Sequence, residues 1–185
     1  MSDITIFLTA DSLTEQMPIN NDSDSDNLSK TIYIAQEQHI QSSLGSKLYK
    51  HIKGLVQAAT IGNPGNVNYK ILLDEHIIEV LLRYAYYRAI RTQSTQVTDK
   101  GAQNRRGEAS ERAEESNVHA LRQDALKDAQ FHEKLMLKFI CEEGAAVFPE
   151  YFNSDSDDLK PKPRVPFNGI VYPESRAVKE ARRFS

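Results

Sequence analysis

"YKILLDEHIIEVLLRYAYYRAIRT", residues Tyr69 to Thr92, decides how the rest of the chain is read. Most of its positions are Ile, Leu, Val, Tyr or Ala. Glu75, Glu79 and Arg83 follow i, i+4 spacing and make one narrow polar stripe, with His76 beside it. A helix that is apolar over most of its circumference must be covered on several sides. It can be the central helix of one bundle, or it can be covered in part by another subunit. The residues themselves fit both arrangements equally.

Helical periodicity extends on both sides. "LSKTIYIAQEQHIQSSLG" (28–45) keeps Leu28, Ile32, Ala35, Ile40 and Leu44 roughly on one face. Asn27 is the expected N-cap and Gly45 the expected left-handed C-cap. "SKLYKHIKGLVQAA" restarts at once, with Ser46 as cap. Leu48, Ile52, Leu55 and Ala59 form its stripe, with Tyr49 and Val56 beside it. Gly54 in mid-helix costs up to about 1 kcal/mol against Ala, so it marks either a close contact or a weak spot. "IGNPGNVN" (61–68) reads as a loop. Downstream, a helix from about Ser110 to Glu142 spans on the order of 50 Å. Val118, Leu121, Ala125, Ala129, Met136 and Ile140 track one face, Leu126, Leu135 and Phe139 widen it, and Gly144 ends it. Its polar first turns, "SERAEESN", are expected to project. Between the two strongest helices lies the polar insert "TQVTDKGAQNRRGEAS" (95–110), carrying Lys100, Arg105 and Arg106.

The two ends differ in charge. The whole chain of 185 residues is nearly balanced at −3. Residues 1–27 carry six acids, Asp3, Asp11, Glu15, Asp22, Asp24 and Asp26, and no Lys or Arg. Residues 160–185 carry Lys160, Lys162, Arg164, Arg176, Lys179, Arg182 and Arg183 against Glu174 and Glu180. Such polarity suits head-to-tail contact between copies, and equally suits two solvated tails. A hydrophobic content of 39% and a mean hydropathy of −0.55 place part of the chain outside a packed core. "ITIFL" (4–8) is β-like and "TADSLTEQM" (9–17) has room for one or two helical turns, while "NNDSDSDN" (20–27) reads as a linker. The Pro-rich stretch 153–173 carries Phe167, Ile170, Val171 and Tyr172, and a short basic helix can follow it.

The expected fold is mainly α. It is a helical bundle of about four to five helices with a short β-hairpin or extended loop and with extended N- and C-terminal arms. The divisions are an N-terminal arm (1–27), a helical domain (28–152) with an inserted loop (93–109), and an extended C-terminal tail (153–185). The lone Cys141 excludes an internal disulfide and reads as a structural thiol. The N-terminus has no signal-peptide pattern, and no apolar run reaches the roughly 20 residues of a membrane span.

Few residues suggest chemistry. None of His39, His51, His76, His119 and His132 has a Glu three residues before it, so the di-iron Glu-x-x-His pattern is absent. "HEKLM" (132–136) lacks the second His of a zincin, and Asp128 with His132 reads as a surface pair. There is no phosphate loop or dinucleotide fingerprint. Asp74/Glu75, Glu114/Glu115 and Glu142/Glu143 fall on polar faces. The expectation is no catalysis, no metal and no cofactor. "KGAQNRR" (100–106) has three cations but no interleaved aromatics, which leaves a weak, sequence-independent phosphate contact or a solvated loop tip.

Several motifs line up in order: "FLTADSL" (7–13), "YIAQEQHIQSSLGSKLYKHI" (33–52), the Tyr/Leu-rich helix, "QVTDKGAQNR" (96–105), and "AEESNV" (113–118) leading to "LMLKFICEEGAAVFPEY" (135–151). In this order and spacing the chain resembles the head–tail connector (head-completion adaptor) proteins of tailed phages, in the branch found in Bacteroidetes phages and in the neck-ring proteins of crAss-like phages. The resemblance covers roughly residues 4–152. It implies a structural virion protein without catalysis, a subunit of a typically twelvefold ring that stacks under the portal protein. Such a ring meets further neck or tail proteins and lines a channel for DNA, without sequence-specific binding and away from any membrane. In such adaptors the segment between the last two core helices forms an extended loop or hairpin. The resemblance therefore makes Val97, Thr98, Lys100, Gly101, Arg105 and Arg106 a candidate channel or intersubunit loop, with Gly101 at the turn. Phe167, Ile170, Tyr172, Arg182, Arg183 and Phe184 are the candidate partner-binding tail. The competing reading is a small cytoplasmic helical interaction or regulatory module that binds protein or nucleic acid.

Overall fold

The computed structural model describes residues 5–19, 24–98, 101–104, 115–153 and 159–161; along 92–98, 101–104 and 115–116 only the backbone path is described. The protein is mainly α. A short helix α1 (Ala10–Gln16) precedes α2 (Ser25–Ala35), which passes through a π turn (Gln36–Ile40) into α3 (Gln41–Gln57). A 3-10 turn (Pro64–Asn66) leads into α4 (Val67–Ile71), a second π turn (Leu72–Ile77) and α5 (Ile78–Ser94). The backbones of β1 (Thr95–Thr98) and β2 (Gly101–Asn104) pair antiparallel, with Val97 opposite Ala102 and Thr98 opposite Gly101. The long α6 (Glu115–Glu143) and the short α7 (Pro149–Phe152) follow.

The π turns follow from the spacing of apolar residues. Ala35 and Ile40 are five residues apart, which on a regular α-helix would turn one of them well away from the core. Gln41 N–H instead bonds back five residues to Gln36 O, and Ile78 N–H does the same to Leu73 O. Each π turn absorbs roughly one extra residue. Leu28, Ile32, Ala35, Ile40 and Leu44 are therefore all buried along one line. The N-cap of α2 is Asp24, not Asn27: its carboxylate accepts from Asp26 N–H at 3.0 Å and from Asn27 Nδ2 at 2.8 Å. In α3 the buried stripe is Leu48, Tyr49 and Ile52, with Val56 packed against it, while Ala59 is exposed.

The Tyr69–Thr92 stretch proves to be central. Leu72, Leu73, Ile77, Val80, Leu81, Leu82, Tyr84, Ala85, Ala89 and Ile90 are all buried within the chain. α2 and α1 cover α5 on one part of its circumference, and α6 covers another. The surplus apolar surface is consumed inside one subunit, so this helix no longer argues for burial between subunits.

The described part of the N-terminal arm packs on the helical body. Leu8, Leu13 and Ile19 belong to the core, and Phe7 N–H donates to Gln36 Oε1 at 2.9 Å. Gln36 Nε2 donates to Thr5 O at 2.9 Å and lies 2.8 Å from Tyr49 Oη. One fully buried amide thus pairs with both a backbone C=O and a backbone N–H of residues 5–7.

The start of the C-terminal segment is pinned as well. Gly45 has φ +77°, a conformation that favours glycine, and it breaks α3 into two helical parts. Ser46 N–H, freed at that break, donates to Leu159 O at 2.9 Å, and Lys47 Nζ donates to Asn153 O at 2.9 Å. A Cβ on Gly45 would lie 2.8 Å from Pro161 Cδ. Gly54 is the opposite case: a Cβ there would meet nothing within 4 Å, so it is a weak spot and not a contact. Urea denaturation should separate the two. Gly45→Ala is expected to lose about 1–3 kcal/mol through strain and the clash with Pro161, whereas Gly54→Ala should gain about 0.5–1 kcal/mol.

Candidate functional site

Polar side chains gather at two places on α6, one inside the core and one on the surface. Inside, Glu133 is only 6% exposed. Tyr84 Oη donates to its Oε2 at 2.5 Å, and Ser43 Oγ bonds its Oε1. Ser43 Oγ also lies 2.7 Å from His39 O, and the His39 ring stacks on Tyr84 with centroids 3.8 Å apart and planes 4° apart. Burial, and then the bond to Glu133, push the Tyr84 phenol far above its ordinary range. This cluster ties the kinked helix, the central helix and α6 to one another in a fixed register. Its distance from solvent fits a structural role. The sequence signal was faint: Glu133 stands beside a histidine on a helix full of acids, and nothing local marks it as buried.

On the surface, α6 and the π turn at Leu72–Ile77 enclose a groove of about 470 Å³. Phe139 and Leu135 supply its apolar lining, and the His76 ring stacks on Phe139 at 4.3 Å. Glu75, Glu79 and Glu142 line it against one cation, Lys138, whose Nζ lies 3.5 Å from Glu142. Arg83 braces the upper wall: it bonds Glu79 within α5 at 2.5 Å and reaches across to Asp128 Oδ2 on α6 at 2.9 Å. His132 Nε2 is 3.7 Å from Asp128 Oδ1, so the i, i+4 pair expected from spacing exists as part of a larger network.

Both groove histidines lean towards the neutral form. Burial lowers His76, opposed by Glu75. Burial and then Arg83 lower His132, opposed by Asp128 and Glu79.

The insert residues Val97, Thr98 and Gly101 lie on the paired backbones of β1 and β2, with Gly101 facing Thr98 across the closing end. Lys100, Arg105 and Arg106 lie outside the described residues, as do Phe167, Ile170, Tyr172, Arg182, Arg183 and Phe184. Among the described residues, no group of three His, Cys, Asp or Glu side chains is placed to hold a metal ion, and no helix is long and apolar enough to cross a membrane. Cys141 is half-buried against the core.

Two measurements check these clusters. Glu133→Ala should cost about 2–4 kcal/mol in chemical denaturation, because the Tyr84 and Ser43 hydroxyls lose a buried partner. For the histidines, the unfolded state binds protons near the ordinary value of 6.5 and the folded state only at lower pH. Stability contributed by neutral His76 and His132 is therefore complete above about 6.5 and declines as pH falls through their folded values. The drop between pH 7.5 and 5.5 should be smaller in a His76→Gln/His132→Gln variant than in the parent.

No curated protein and no solved structure matches the chain. Residues 40–159, which run from the first π turn to the anchored Leu159, match a family described as "Family of unknown function (DUF6712)". That match spans more than half of the sequence, and the chain belongs to this family.

Proposed function

We propose that this protein is a structural neck component of a tailed-phage virion, one protomer of a dodecameric ring that joins the portal to the tail and lines the DNA channel. The observation that carries the proposal is the ordered series of motifs over residues 4–152. The mainly α body supports it by mounting the insert at the far end of the central helix, where α5 gives way to β1 and β2. In a ring that insert stands at a surface, and Lys100, Arg105 and Arg106 become a repeated set of charges facing the channel or the next subunit. Twelve weak contacts then act together, while DNA still slides because none is strong.

Support for assembly comes from outside the core. Leu121 (50% exposed), Phe131 (49%) and Leu135 (40%) stand on the outer side of α6. A ring interface is heterologous, one patch meeting a different patch on the next copy, and such residues suit it. The tail beyond Pro161 supplies further contacts to the portal or to an adjacent ring protein, with Phe167, Tyr172 and Phe184 as anchors.

A self-contained core and a docked N-terminal segment favour one competing reading, a monomeric or dimeric helical module in the host cytoplasm that binds protein or nucleic acid. Oligomeric state separates the two. Electron microscopy of virions, or native mass spectrometry with the portal, is expected to find a ring. A strict monomer that binds duplex DNA tightly would instead establish the module. Deleting residues 162–185 keeps Pro161 on Gly45 and should leave a folded body that fails to join the neck; normal assembly of that truncation would overturn the role given to the tail.

A further inference from the structure

The groove beside α6 is acidic at its edges and aromatic on its floor. Glu75 and Glu142 are exposed there, Phe139 carries the stacked His76 ring, and Leu135 is left partly open with Phe131 one turn away on the same helix. A basic peptide with aromatic side chains fits that composition: its cations meet carboxylates at the rim and its rings cover the apolar floor.

The chain itself contains such a peptide. Residues 162–185 hold Lys162, Arg164, Arg176, Lys179, Arg182 and Arg183 against two acids, together with Phe167, Tyr172 and Phe184. We propose that the groove is the receptor for residues 162–185 of a neighbouring copy, which makes the adjacent ring protein met by the tail a second copy of this chain and not the portal. The proposal rests on the ring reading, because it takes copies to associate head to tail.

The ring reading makes the donor a neighbouring copy, and the placement of the two patches allows it. The tail departs from Pro161, which is held at the Gly45 kink on the α3 side of the molecule, where Ser43 meets Glu133. The groove opens where α6 meets the π turn of the central helix. Donor and acceptor therefore sit against different neighbours of α6. Two distinct patches of this kind can repeat from copy to copy around a ring. Length does not limit the contact: 24 residues extend up to about 80 Å, nearly twice the roughly 44 Å of α6.

A charge-swap experiment on the full chain tests this. In sedimentation at low salt, Glu75→Lys/Glu142→Lys should weaken self-association at least tenfold, and Arg182→Glu/Arg183→Glu should do the same from the other side. Mixing the two variants should restore association between unlike chains, and combining all four substitutions in one chain should restore it fully. A second measurement does not depend on altered charges. With Leu135→p-benzoylphenylalanine in a mixture of light and heavy copies, photo-crosslinks should join position 135 to peptides from 162–185 of the other isotope. Crosslinks confined to the same copy, crosslinks that avoid the tail, or a parent chain that stays monomeric would each overturn the proposal. Association that ignores both charge reversals would remove the groove assignment while leaving the ring intact; a virion without a ring of this chain would remove the function itself.

Discussion

A helix that is apolar on nearly every side has to be surrounded, and the other elements of this chain are arranged around that need. α4, its π turn and α5 form the axis. α6 lies along one part of it, α2 along another, and α1 with the residues just before it closes a remaining gap. Burying each large aliphatic side chain is worth roughly 1.5–3 kcal/mol, and the axis buries a long series of them. The kinks and π turns are consequences of that covering. They rotate buried residues into line where the spacing of apolar positions would otherwise carry them off the core.

The polar groups admitted to the interior do a different job. Gln36 holds the extended N-terminal backbone by two bonds of its amide, and Glu133 collects hydroxyls from two other helices. Apolar packing alone tolerates sliding of one helix along another. A buried amide or carboxylate with specific partners does not, since a shift of one turn would leave it unsatisfied. Gly45 adds a third fixed point, where the opened helix offers an N–H to Leu159 and leaves room for Pro161. The matched family region ends at that same residue, Leu159.

Among the described residues, the outer side of α6 and the acidic groove beside it are open to other molecules. Both face away from the core, so they are places where the proposed assembly role would act. The described core is covered from within the chain.

Local sequence pattern determined that the chain is mainly α, that Leu28, Ile32 and Ala35 share a face, that Gly45 and Gly144 end helices with positive φ, and that Ala129, Met136 and Ile140 face inward. Those properties depend on neighbours within a turn or two, which a sequence displays directly. The π turn that brings Ile40 and Leu44 into the same line came with the packing. The placement of Glu133 against Ser43 and Tyr84, of Gln36 against residues 5–7, and of His76 against Phe139 depends on contacts between positions about 30 to 90 residues apart. No local pattern encodes such distances. The same reason explains the central helix: its composition required a cover, and only the tertiary packing decided that the cover would come from its own chain.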